Sequence, residues 1–378
     1  MMIKDDIYGK KILLTGATGF LGSHVLYQLL ESGAIVYCLV RANDSIEGHQ
    51  RIDNTLKNYN TIIPNDCKGK LVTICGDITS KRLGLSRIDY NMLTDNLFTV
   101  INCAALVNFV LPYSELEETN VIGVQNLIDL CLSLDIRLVH VSSSAIFLSS
   151  FYSPGQSIDC DSPPPPIKYS TGNYSKSKLV AEHLINDNVK QGLKCTVLRP
   201  GLICGSTITG ACYDTSYHWL LAKSCLQIGN APSSKEIFET VSVDFVSEII
   251  IISLSLPDDF SRYTIPSTNQ HKWNDFCSEV SSHYQPISFS PIHVWRKNML
   301  DNPYIEGERN AFLPFFRWLR NSEVNQLFGN QNSNFPNISY DKKHPLHLEK
   351  LKQQRENSIG KVVDFFQEKG FFEVQYEY

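Results

Sequence analysis

Tyr174 and Lys178 stand four residues apart in "YSKSK", residues 174–178. On a helix that spacing puts a phenol and an ammonium on one face, a turn apart. Upstream, an apolar run ends in three consecutive hydroxyls, Ser142, Ser143 and Ser144. A hydroxyl, a phenol and an ammonium gathered at one place suit the reduction of a carbonyl. The oxygen that gains charge as hydride arrives needs a proton donor already in position. Tyrosine's ordinary pKa, about 10, is high for that task, and a neighbouring ammonium lowers it. Lys178 can also donate to ribose hydroxyls, and a serine hydroxyl can orient the carbonyl oxygen. Alone, Tyr-x-x-x-Lys also fits a solvated polar helix.

A second motif supplies the context. "TGATGFLG" (15–22) follows an apolar run and opens an amphipathic one. Gly16, Gly19 and Gly22 have G-x-x-G-x-x-G spacing. Gly16 allows the tight turn, Gly19 lets a diphosphate approach the backbone, and Gly22 lets the helix pack closely on the strand. Thr18, Phe20 and Leu21 complete the turn and the helix start, whose free N–H groups and dipole favour phosphate. The combination predicts a dinucleotide site.

The end of the second apolar run, "CLVRA", selects the nucleotide. An NAD site wants an acid there for the ribose 2′-hydroxyl. Arg41 stands there instead, and a guanidinium suits a 2′-phosphate, so NADPH is expected. Arg51 is either a second positive charge for that phosphate or a surface ion-pair partner. In "GDI" (76–78), Asp77 is either an acceptor for the adenine amino group or a helix cap, with Ile78 beside it. Ala104 and Ala105 end "INCAA" with side chains small enough to leave room for a cofactor.

These residues need elements to hold them. Strand-like runs are read at 11–16, 34–40, 70–77, 97–105, 137–144 and 194–201, with helix-length amphipathic segments between them. The runs are continuously apolar rather than alternating, as in a parallel sheet covered on both faces. The order predicts an α/β fold, a Rossmann-type doubly wound parallel sheet with a smaller, mostly helical C-terminal lobe. The expected division is 1–203 plus 237–258 for the NADPH-binding domain, and 204–236 plus 259–378 for the substrate lobe. "FGNQNSNFPN" (328–337) is read as a polar loop. "SPPPP" (162–166) is either a polyproline ligand or, preferably, a stiff loop.

Composition narrows the class. The chain has 378 residues, is 43% hydrophobic and 19% charged, and carries a net charge of −5. That balance is ordinary for a folded soluble protein and gives no electrostatic case for nucleic acid or an anionic membrane. The 11 cysteines show no C-x-x-C pair or zinc-like cluster, which argues for a reducing compartment. The N-terminus is too polar for a signal peptide, and the longest apolar stretch is too short to span a bilayer. A cytoplasmic protein is expected.

"TGATGFLG", "GDI", "SSSAIF", "YSKSK" and "LRPG" resemble the extended short-chain dehydrogenase/reductases. "CLVRA", "INCAALVNFVLPYSELEETNVIGVQNLI", "LRPGLICGSTITGACYDTSYHWLLAKSCLQIGNAP" and "VSVDFVSEII" are similar to the thioester reductase domains that end nonribosomal peptide and polyketide synthetases, aminoadipate reductases and carboxylic acid reductases. The likeness covers residues 11 to 256 well and the tail loosely. It implies catalytic roles for Ser143, Tyr174 and Lys178, the serine standing where threonine is usual, with Ser142 and Ser144 adjacent. It adds Pro200, Gly201 and Ile203 to the cofactor contacts. Asn120 matches a helix asparagine that either relays protons or packs as an amide.

The implied reaction starts from an acyl or peptidyl carrier protein bearing a phosphopantetheine thioester. Hydride from NADPH reaches the carbonyl, Tyr174 serves the oxygen, and a hemithioacetal expels thiol to leave an aldehyde, which some relatives reduce to the alcohol. The carrier is expected in trans or within a larger synthetase. The alternatives are a fatty acyl-CoA reductase, a hydroxysteroid-type dehydrogenase or a sugar-nucleotide epimerase. From another class, a non-catalytic NADPH-binding protein remains. Arg41 opposes the epimerase, and the intact Ser143, Tyr174 and Lys178 oppose the sensor.

Overall fold

The computed structural model describes residues 6–153, 155–235, 237–257, 259–301, 335–340 and 359–372. Among them the chain forms two units, and each is woven from more than one stretch. The first holds 6–201, 243–266 and 335–340, and the second 202–242, 267–301 and 359–372.

The first unit is built on strands that are apolar almost throughout. They are β1 (Lys11–Thr15), β2 (Ile35–Val40), β3 (Leu71–Cys75), β4 (Leu97–Asn102), β5 (Arg137–Val141) and β7 (Cys195–Arg199). With Ser261–Thr264 they make a seven-stranded sheet in the order Ser261–Thr264, β7, β5, β4, β1, β2, β3, every pair parallel. Leu13 joins a core cluster with Val100, Leu138 and Val197, under Leu127 and Ile185 of two covering helices. Ile12 and Leu14 point to the opposite face by strand alternation and are equally buried, so both faces are covered. The strand order reverses between β1 and β4, which stay paired to their carboxyl ends. The connections that leave these two strands therefore run to opposite sides, which opens the crevice where such folds take ligands.

The helices are α1 (Phe20–Glu31), α2 (Ser45–Asn58), α3 (Arg87–Thr94), α4 (Gly123–Leu134) and α5 (Asn173–Val189). Asp44 caps α2, its carboxylate accepting from the amides of Ile46 and Glu47 at 2.9 and 2.8 Å. A helical turn (Tyr113–Glu117) and a π-helical turn (Glu118–Ile122) run without a break into α4. The helix Val243–Ser253 returns to this unit, and Gln28 of α1 donates to its Ser247 at 2.7 Å. Its carboxyl end is met by the buried Arg137 guanidinium, which donates to Ser253 O at 3.0 Å and to Leu256 O. A cation there offsets the helix dipole.

The "SPPPP" stretch is a loop packed on its own unit. Pro164 and Pro165 are buried, Pro165 O accepts from His183 and Ser162 O from Arg199. Just before it, β6 (Ser157–Asp159) pairs in parallel with Asn337–Ser339. Of the polar loop read at 328–337, residues 328–334 lie outside the described residues.

The second unit contains short strands as well as helices. β8 (Leu202–Cys204) pairs in parallel with β10 (Ile237–Ser242), which pairs antiparallel with Asn269–Lys272. β9 (Asn230–Pro232) pairs with Ser288–Ser290. Around them lie α6 (Tyr217–Ile228) and the helices Trp273–Ser282, Ile292–Asp301 and Ile359–Glu368. Trp219 is their aromatic centre, in edge contact with Phe276 and Phe366 at centroid distances of 5.0 and 5.1 Å. Among the described residues no helix is long and apolar enough to cross a membrane, and no group of three or more His, Cys, Asp or Glu side chains could hold a metal.

Candidate active site

The glycine turn sits where β1 meets α1. Gly16 has φ +77°, and a Cβ there would fall 2.7 Å from Ala104 N at the end of β4. A Cβ on Gly22 would lie 2.0 Å from Gly16 O, so α1 crosses directly over the turn. Gly19 precedes α1, and no side chain caps the helix. Thr18 O accepts from Thr55 at 3.4 Å. Phe20 turns its ring into the core against His24 and Tyr59, which leaves its backbone, with that of Leu21, for the helix start. A bare turn at an uncapped helix N-terminus suits a dinucleotide diphosphate. Beside it, Ala104 N is held by Thr15 Oγ1 and Asn102 Oδ1 at 3.3 and 3.2 Å. Ala105 is half-buried next to it.

Arg41 follows β2 and is exposed. It lines a cleft of about 590 Å³ with Glu47, Gly76 and Asp77. The Arg51 guanidinium donates to the backbone oxygen of Arg41, just past β2. Glu47 is engaged by Asn43, accepting from its N and Nδ2 at 2.9 and 2.8 Å. Asp77 does not cap a helix. Its carboxylate accepts from Thr79 N at 2.9 Å in an Asx turn, and the residue lies at the same cleft. Ile78 is buried against Gly123, and its carbonyl accepts from Asn126 at 2.7 Å.

α5 carries Tyr174, Lys178 and Glu182 at successive intervals of four, all buried. The Tyr174 hydroxyl is hydrogen-bonded to Ser143. Burial pushes its pKa up to about 12, against the pull of that hydrogen bond. Lys178 Nζ donates to Val141 O at 2.9 Å. Burial pushes its pKa down to about 8, opposed by the Cys103 thiol and the Glu182 carboxylate.

The three serines have different tasks. Ser142 donates to Glu182 at 2.6 Å, and Ser144 N donates to Pro200 O at 2.9 Å. Ser143 is the one turned to Tyr174.

Glu182 and Arg199 were not singled out from the sequence. Arg199 clamps both Glu182 oxygens, with Nε donating at 2.9 and 3.1 Å and a terminal nitrogen at 2.6 Å. The only sequence signal was the continuation of the four-residue stripe from Lys178. Asn120 lies within the π-helical turn, and its amide is fully used. It accepts from Leu106 N at 2.8 Å and donates to Leu106 O and Ser177 at 3.0 and 2.9 Å. That ties the segment after β4 to α5. His140, also unanticipated, accepts from Asn102 Nδ2 at 3.1 Å. Burial and Lys178 hold its pKa well below the usual value, so it is neutral. Phe109, 58% exposed, meets the Tyr174 ring edge-on at 5.1 Å. Pro200 and Gly201 follow β7 in the first unit, whereas Ile203 lies on β8 of the second.

A family model described as male sterility protein, an NAD-binding domain, matches residues 14–250. The chain belongs to that family. Within it, the chain is a reductase-type domain of the extended short-chain dehydrogenase/reductases, an oxidoreductase with a nicotinamide cofactor. It is 28% identical to a linear gramicidin synthase polypeptide of Brevibacillus parabrevis, over 95% of this chain and 7% of that one. With the L-2-aminoadipate reductase large subunit of Penicillium chrysogenum it shares 31% identity over 65% of this chain and 18% of that one. This male sterility family member thus spans a small part of either relative. The crystal structure of the terminal R domain from the myxalamid PKS–NRPS biosynthetic pathway superposes with a TM-score of 0.81 at 26% identity, over 96% of this chain and 92% of that one.

Proposed function

We propose that the chain is an NADPH-dependent reductase that releases a carrier-bound acyl or peptidyl thioester as an aldehyde. The observation that carries the proposal is the Ser143–Tyr174 hydrogen bond, with Lys178 one turn along the same buried helix face. When bound, the nicotinamide supplies hydride to the carbonyl carbon. Ser143 and Tyr174 hold the oxygen. Tyr174, a protonated phenol at neutral pH, gives it the proton. Lys178, still an ammonium at neutral pH, lowers the cost of the phenolate that remains. The hemithioacetal then expels thiol. A second pass over the same groups would take the aldehyde to the alcohol.

Gly16, Thr18, Gly19, Phe20, Leu21 and Gly22 are assigned to the diphosphate, Asp77 and Ile78 to the adenine end, and Ala104, Ala105, Pro200, Gly201 and Ile203 to the nicotinamide half. The Arg41 guanidinium past β2, with Arg51 hydrogen-bonded to its backbone, favours a 2′-phosphate, hence NADPH over NADH. The likeness to a gramicidin synthase and to a terminal R domain supports a phosphopantetheine-bearing carrier protein as partner, in trans or in the same synthetase. The reading remains a cytoplasmic protein without nucleic-acid or membrane partners.

The test offers purified protein a panel of carrier-bound and coenzyme-A-bound thioesters, with NADPH or NADH, and identifies products by mass spectrometry. Aldehyde or alcohol formed with NADPH, and much less with NADH, supports the assignment. Nucleotide binding without turnover of any thioester or aldehyde would favour the non-catalytic alternative. Equal rates with both nucleotides would remove the role given to Arg41.

A further inference from the structure

The second unit holds a pair of thiols for which the reductase chemistry has no use. Cys204 ends β8, and the chain then doubles back in a tight turn. Ser206 N donates to Ala211 O and Gly210 N to Ser206 O, both at 2.9 Å. The turn delivers the Cys212 thiol to Cys204, and the two are hydrogen-bonded. Both glycines of the turn are hemmed in. A Cβ on Gly210 would lie 2.0 Å from Lys361 O, and one on Gly205 2.6 Å from Val362 Cγ2. The turn is therefore fixed by packing.

Further donors converge on the Cys204 sulfur: the Gly205 amide, the Trp219 indole and the Thr240 hydroxyl. The Cys212 thiol, ahead of these donors, holds the Cys204 pKa below the ordinary thiol value against the opposing effect of burial. Every other cysteine is raised, with burial the main cause. Cys204 is also half-buried, whereas Cys212 is buried. Thiolate character together with partial exposure is what makes one cysteine react before its neighbours.

The geometry points to Cys204 and Cys212 as an oxidative modification site, with Cys204 the thiol that attacks hydrogen peroxide and Cys212 the thiol that resolves it. The Cys204 thiolate attacks one peroxide oxygen and the O–O bond breaks. Hydroxide leaves, taking up a proton to become water, and Cys204 becomes a sulfenic acid. The Cys212 sulfur then attacks Cys204, the S–O bond breaks, and the second oxygen leaves as water. The two thiols lose two electrons and two protons, which end in the two waters, and a disulfide remains. A thiol or dithiol reductant restores the pair.

The experiment treats the wild-type full chain with limiting hydrogen peroxide, alkylates the remaining thiols and maps cysteines by tandem mass spectrometry. The expected first product is a Cys204–Cys212 disulfide, short of two hydrogens, refractory to alkylation and lost on treatment with dithiothreitol. In Cys212→Ser, oxidation should stop at a Cys204 sulfenic acid that dimedone traps. In Cys204→Ser, the same dose should leave Cys212 free for alkylation. Oxidation of any other cysteine first, or a Cys204 that stays fully alkylatable while others react, overturns the assignment.

Discussion

The two ends of the proposed nucleotide site are built on opposite principles. At the catalytic end, Tyr174, Lys178, Glu182 and Arg199 are all buried and every polar head has a fixed partner. At the phosphate end, Arg41 is exposed and lines a cleft of about 590 Å³. Burial makes the first end stiff and shifts its proton affinities. Exposure leaves the second adaptable and open to screening by salt. Damage to the first should therefore appear in turnover and stability, and damage to the second in nucleotide affinity.

The largest effect should come from removing the phenol oxygen. Tyr174→Phe is expected to lower kcat by about 10²–10⁴-fold while nucleotide binding, measured by fluorescence titration, stays near wild type. Next is Glu182→Gln, which leaves the buried Arg199 charge uncompensated. Denaturant unfolding should show a loss of about 3–5 kcal/mol. Ser142→Ala, which removes only a hydroxyl from the same carboxylate, should cost about 1 kcal/mol. A near-neutral Glu182→Gln would mean that the clamp does not organise α5.

At the other end, Arg41→Ala should weaken NADPH binding about tenfold, the lower range for a charged hydrogen bond because the group is exposed. The loss should shrink at high salt and be absent for NADH. The last effect follows from pH. Lys178, with a pKa of about 8, is charged below that value and neutral above it. The reductive rate should be flat on the acid side and decline through pH 8 by up to about tenfold per unit, each unit being worth about 1.4 kcal/mol. A rate that climbs through that range would contradict the need for a charged Lys178.

The glycine turn and the Tyr174–Lys178 pair were legible because their signals are local. A turn needing positive φ writes itself as glycine, and a shared helix face writes itself as a spacing of four. The choice among three adjacent serines was not local. It depends on which hydroxyl Glu182 takes, and that follows from the packing of α5 against β5. Arg199 lay in plain view in "LRPG", but its partner is set by tertiary structure. The strand Ser261–Thr264 escaped because "SRYT" has neither an apolar run nor alternation. In the second unit, strands such as "LIC" and "NAP" fall below the length at which periodicity is readable, whereas the six-residue β10 does not.

The first unit is discontinuous in the chain, since the helix Val243–Ser253 and the strand Ser261–Thr264 rejoin it after the excursion through 202–242. A fragment that stops at Gly201 would expose the apolar side of α1 and strip β7 of a neighbour. It should be recovered from cells as aggregate rather than as a small nucleotide-binding module. For the same reason, grafting another specificity onto this scaffold requires matched cuts at 201/202, 242/243 and 266/267, and on either side of 335–340. Exchange at a single splice point would unpick the sheet.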